Sequence, residues 1–168
     1  MRDVEVVTEL DGGPERVWEV LIDFAAYPSW AAFVRQITGR AEVGSRLEIV
    51  LGRDERRPVT VRPVVVDATR ASRLAWQGRL GPPGLFGGTH EFVLTALPDN
   101  RTRLLHRETF HGVVAALFPG SPRGAVEGFA AFNAAIARRV ASIAGRTTAG
   151  GTPVADPEVD SARAGDLA

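Results

Sequence analysis

Residues Gly124 to Ala144 constrain this chain most, because their apolar positions repeat at a helical period. At about 100° per residue, Phe129, Phe132, Ile136, Val140 and Ile143 fall within one arc. Glu127, Ala131, Ala134, Arg138 and Ala141 fall mostly behind it. Asn133 interrupts the apolar arc, and Ala130 and Ala137 leave room beside it. An aromatic helix face carrying one polar residue suits a helix laid across a concave sheet better than one in a dry bundle. The pattern predicts a container for an apolar small molecule.

The rest of the chain supplies the sheet. Residues 2 to 10 alternate as a first strand. Asp11-Gly12-Gly13-Pro14 stops it and opens a helix, with Pro14 at the first helical position. Val17, Trp18, Val20 and Leu21 have helical spacing, and Asp23 is placed to cap a short turn, Phe24 to Tyr27, that Pro28 ends. Six short strands are then expected: Phe33–Thr38, Arg46–Leu51, Pro58–Asp67, Ser72–Leu80, Thr89–Leu97 and Arg101–His111. Connections this short join antiparallel neighbours. Pro63 objects locally and calls for an edge position or a bulge. The fold class expected is α+β: a curved, antiparallel, seven-stranded sheet in the order β-α-α-β6-α, wrapped around the long helix. Residues 1–145 form the ligand-binding domain, and the Thr-, Ala-, Gly-, Pro- and Asp-rich tail 146–168 is expected to be disordered.

Composition narrows the function. A 45% hydrophobic content in 168 residues suffices for a core without metal or disulfide. There is no cysteine, which excludes a thiolate nucleophile or Cys-ligated zinc. The 20 basic residues, all arginine, are balanced by 20 acidic ones and interspersed with them, so nucleic acid is not an expected partner. No apolar run reaches the roughly 18 residues of a membrane span, and the acidic start of the chain is unlike a signal peptide. A cytoplasmic protein is expected; the oligomeric state is left open.

The most informative segment is the hairpin of the last two strands. His90, Phe92 and Leu94 share one face, and Leu104, His106, Glu108 and Phe110 share a face of the partner. With Pro98-Asp99-Asn100 as the loop, His90 stands opposite Glu108. A slip of two puts Phe92 there instead, with His90 diagonal to the carboxylate. Either register sets an imidazole near a carboxylate on an aromatic face. Such a pair suits acid/base work, the orientation of a ligand's polar end, or a structural hydrogen bond. Asn133 carries the same choice between ligand contact and helix seating. The residues expected to line the interior are Trp30, Phe33, Trp76, Phe92, His106, Phe110, Phe118, Phe129, Phe132, Asn133 and Ile136, with His90 and Glu108 as candidate catalytic groups. His106 and His111 differ in parity and cannot share a metal. Phosphate loops, dinucleotide glycine motifs and nucleophile elbows are missing from the sequence, so no cofactor is expected.

Several segments, in this order, resemble the START-related SRPBCC superfamily, often labelled polyketide cyclase/dehydrase-like. They are Pro14-Glu15-Arg16-Val17-Trp18, Asp23…Tyr27-Pro28-Ser29-Trp30, Leu74-Ala75-Trp76, Gly88-Thr89-His90-Glu91-Phe92, Glu108-Thr109-Phe110-His111-Gly112 and Gly128-Phe129-Ala130-Ala131-Phe132-Asn133-Ala134-Ala135. The resemblance spans residues 3 to 144. It implies the helix-grip fold with a deep, mostly apolar cavity, in a group containing lipid and hormone carriers and aromatase/cyclases. Relatives often read Trp-Asn-Pro-Phe where this chain has Trp30-Ala31-Ala32-Phe33, so any contact made by that Asn is missing. Three functions follow as expectations: a binding module for a hydrophobic ligand, an aromatase/cyclase-like enzyme using His90 and Glu108, or an assembly partner with a vestigial cavity.

Overall fold

The computed structural model describes residues 2–52, 58–80, 86–111 and 122–149. The elements run β1 (Arg2–Leu10), α1 (Pro14–Ile22), a 3-10 turn (Phe24–Ala26), α2 (Tyr27–Trp30), β2 (Val34–Thr38), β3 (Glu48–Leu51), β4 (Val59–Val61), β5 (Val64–Thr69), β6 (Arg73–Leu80), β7 (Phe86–Leu97), β8 (Arg101–His111) and α3 (Pro122–Ala149). Five strands form one antiparallel sheet in the order β1-β8-β7-β6-β5, and β2-β3-β4 form another. The expected Pro58–Asp67 strand is broken into β4 and β5 because Pro63 offers no N–H to a ladder. The break is a bend that joins the two sheets: the Leu47 N–H donates to the Pro63 carbonyl at 2.9 Å, and the Val65 N–H to the Ser45 carbonyl at 2.9 Å. The two sheets thus make one curved wall whose fourth strand turns a corner.

Other boundaries also differ from expectation. Pro28 lies inside α2, in a first turn that has no use for its missing N–H. Asp23 stands at the start of the 3-10 turn without a side-chain capping bond, and its carboxylate lies 3.8 Å from Arg139. α3 begins at Pro122 and continues to Ala149, beyond both ends of the expected Gly124–Ala144 span. The remainder of the tail, from residue 150, lies outside the described residues, as does most of the loop before α3. Among the described residues no helix is long and apolar enough to cross a membrane.

α3 packs on β1 and α1 through the predicted arc. Ile136 and Val140 are fully buried with Val17, Leu21, Phe92 and Leu104, while Asn133 is 1% exposed. Ala130 is exposed and Ala137 half-buried, so only Ala137 stands beside Asn133 on the inner side. On the outer face of the sheet Glu91, 3% exposed, accepts from Arg73 Nη2 at 2.6 Å and from Arg107. Burial works to raise the Glu91 carboxyl, and the two guanidiniums overcome it and hold it below the usual carboxylate range.

Candidate functional site

The site is set by a turn. Asp99 and Asn100 take positive φ of 59° and 56°, a conformation their short polar side chains tolerate. This lets Leu97 pair with Arg101 and fixes eleven consecutive pairs along β7 and β8. His90 consequently stands opposite Glu108 and Phe92 opposite His106, which is the first of the two registers open to the sequence. β6 places Trp76 beside His90, and β1 places Val6 beside His106. All these side chains share the concave face.

Five polar groups join in a line across this face. Glu108 Oε2 contacts His90 Nδ1 directly. His90 Nε2 lies 3.0 Å from His106 Nε2, and His106 Nδ1 lies 2.8 Å from Asn133 Oδ1. Asn133 Nδ2 donates to Thr8 Oγ1 at 3.0 Å. The line therefore crosses β7 and β8, steps to α3 and returns to β1. Aromatic rings enclose it. Trp76 stacks on His90 at 4.8 Å and 6°, Phe129 stacks on His106 at 4.0 Å and 9°, and Phe92 meets both imidazoles.

Proton positions follow from the partners. With Asn133 Nδ2 committed to Thr8, its Oδ1 accepts from His106 Nδ1–H. Burial and the neighbouring His90 push His106 down to about 2, against the Asn133 hydrogen bond, so the ring is neutral and Nδ1 holds its single proton. His106 Nε2 is then an acceptor, and His90 Nε2–H donates to it. The contact between His90 Nδ1 and Glu108 Oε2 closes the line at its other end. His90 and Glu108 keep 18% and 17% side-chain exposure, whereas His106 and Asn133 are sealed. The His90–Glu108 pair is thus the end of the line that water reaches.

A residue not singled out from sequence completes this end. Gly88 precedes the expected strand Thr89–Leu97 by one residue, yet it lies within β7, opposite Phe110. A Cβ there would stand 2.7 Å from Glu108 Oε1. The bare backbone of Gly88 is what lets the carboxylate lie over β7 and reach His90. Gly88→Ala is expected to displace the carboxylate and separate the pair, visible as a change in the His90 imidazole NMR shifts with the overall fold kept. Unchanged shifts would show that Glu108 does not depend on that space.

The other expected wall residues divide. Trp76, Phe92, His106, Phe129 and Asn133 meet as described, with Phe132 5.5 Å from His106 and Ile136 buried in the core below. Trp30 is set apart from the polar line; its ring packs on Tyr27 at 4.5 Å and Phe132 at 5.5 Å. Phe110 flanks Gly88. Phe33 is 50% exposed, and the strand it was expected to open begins one residue later, at Val34. Phe118 lies outside the described residues. At the level of His106 sheet and helix are in ring contact. Among the described residues no three His, Asp or Glu side chains are grouped to hold a metal ion.

A depression of about 380 Å³ between α2 and α3, lined by Ser29, Trp30, Ala135, Arg138, Arg139 and Ser142, shares no residue with the polar line.

This architecture recurs in solved structures. A hypothetical protein from Helicobacter pylori superposes with a TM-score of 0.69 at 18% identity, over 83% of this chain and 88% of that one. A START superfamily protein from Mycobacterium smegmatis gives 0.66 at 17%, over 84% and 98%. The di-domain aromatase/cyclase StfQ of the steffimycin biosynthetic pathway gives 0.64 at 15%, over 85% of this chain and 52% of that one. These likenesses establish the helix-grip fold. No curated protein matches the chain. The family model described as "Polyketide cyclase / dehydrase and lipid transport" matches residues 1–146, and the chain therefore belongs to that family, within the START-related SRPBCC superfamily.

Proposed function

We infer that the protein binds a hydrophobic small molecule between the sheet and α3, its polar end held at the His90–Glu108 pair. The observation that supports this reading is the ring-enclosed polar line, sealed at Asn133 and open to water at Glu108. Pocket polar groups of this kind are few and serve to orient a ligand among apolar walls. The family's lipid transport and cyclase activities are compatible with such a ligand.

The direct His90–Glu108 contact favours a second reading, acid/base chemistry on a polyketide-like substrate. There a proton passes between the pair and the substrate, while neutral His106, seated by Asn133, holds the His90 ring in place. The two readings part on mutation. If the pair only orients a ligand, His90→Ala and Glu108→Gln lower affinity by about tenfold, the scale of one charge-assisted hydrogen bond. If it is catalytic, turnover of a polyketide-like substrate vanishes while binding persists. Calorimetry with ligands recovered from the purified protein by native mass spectrometry provides the measurement. Unaltered affinity in both variants removes the pair from either role.

A further inference from the structure

We propose that the depression between α2 and α3 is a second binding site, which takes a phosphate group between the guanidiniums of Arg138 and Arg139. Four of its six lining residues come from one stripe of α3: Ala135, Arg138, Arg139 and Ser142 are spaced as residues i, i+3, i+4 and i+7. A stripe turned to a neighbouring helix is ordinarily apolar and closes the gap by packing. Here it is Ala, Arg, Arg and Ser set against Ser29 and Trp30 of α2, and about 380 Å³ stays open. Small side chains thus share the depression with two long cationic ones.

The groups gathered here are short of acceptors. The Arg138 guanidinium is exposed and makes no hydrogen bond or ion pair with another described residue. Arg139 is more enclosed, and its carboxylate neighbour, the half-exposed Asp23, stands 3.8 Å away, too far for a hydrogen bond. Both serine hydroxyls are spent on backbone carbonyls, Ser29 on Ala26 at 2.7 Å and Ser142 on Arg139 at 2.8 Å. The guanidiniums are therefore the donors on offer. Trp30 Nε1 adds to the imbalance, as the single sealed side-chain nitrogen or oxygen among the described residues with no partner. A buried N–H without an acceptor costs free energy that an incoming oxygen relieves, and the partly exposed Trp30 ring has only to tilt for its N–H to meet one. A carboxylate is satisfied by one guanidinium fork, whereas a phosphate has the oxygens and the charge to span two.

Titration of the full chain with inorganic phosphate, at an ionic strength held constant with sodium chloride, tests this through the NMR signal of the Trp30 indole N–H, assigned with Trp30→Phe. The signal is expected to shift saturably in the millimolar range, and chloride alone is expected to leave it unmoved. Arg138→Gln and Arg139→Gln are each expected to weaken the response about tenfold, the scale of one charge-assisted contact. Arg40→Gln, which removes the same charge from an exposed position elsewhere, is expected to leave it unchanged. Phosphatidylcholine vesicles with and without phosphatidic acid separate the two sources of such a group. Vesicle binding that needs phosphatidic acid and is lost in the arginine variants assigns the phosphate to a lipid headgroup. Saturation by inorganic phosphate alone assigns it to a soluble phosphorylated molecule. A Trp30 signal indifferent to both probes, or a response that survives both arginine substitutions, overturns the proposal. The native titrations decide the matter alone if a variant does not fold.

Discussion

Replacing Phe92 with alanine is expected to destabilise the protein by about 3–5 kcal/mol, a large share of the roughly 5–15 kcal/mol that holds a typical domain folded. Phe92 is fully buried, and its ring centroid lies 4.5 Å from His106, 5.0 Å from His90, 5.7 Å from Trp76 and 6.2 Å from Phe132. Its loss removes transfer free energy and leaves a hole whose walls belong to three strands and a helix, so collapse is hard. It also frees both imidazoles of the polar line to tilt. Urea unfolding of the purified variant measures the loss. Phe92→Leu, which keeps most of the volume, is expected to lose less than half as much. A loss below about 1.5 kcal/mol for the alanine variant would mean the ring layer is loosely packed there.

Acidification is expected to give the second large effect. His106 is neutral when folded down to about pH 2, but in the unfolded chain it titrates near 6.5. Between these values the unfolded state binds one more proton, so stability is complete above pH 6.5 and falls as the pH drops. The slope is about 1.4 kcal/mol per pH unit once the pH is well below 6.5, or near 2.7 kcal/mol by pH 4.5. Glu91 adds to the loss below its ordinary value, since the arginines that depress it are lost on unfolding. Urea midpoints measured from pH 7.5 to 4.5 test this, with His106→Phe as the control. That variant lowers stability at every pH but should flatten the slope between pH 6.5 and 5. A native slope that survives the substitution would assign the acid sensitivity elsewhere.

Much of the architecture was legible because it rests on local chemistry. The turn residues Pro98-Asp99-Asn100 and the strict alternation from His90 to Leu94 were enough to place an imidazole near a carboxylate on an aromatic face. The inward arc of α3 followed from its period alone. What stayed hidden depends on how elements from distant parts of the chain meet. The His106–Asn133 bond requires the height at which α3 crosses β8, which no spacing within either segment encodes. The contact between the imidazoles depends on rotamers set by Trp76 and Phe129. Gly88 reads as a turn residue when only its poor strand propensity is weighed, because its use is the volume it leaves to Glu108. Phe33 reads as wall because it follows Trp30 on the loop expected at the entrance, and it stands half exposed just before β2.

The carboxylate of Glu108 and the empty position at Gly88 occupy one shared volume on neighbouring strands. Evolution can therefore alter neither freely. A relative that grows a side chain at the position of Gly88 must shorten or redirect the one at Glu108, losing the partner of its first imidazole.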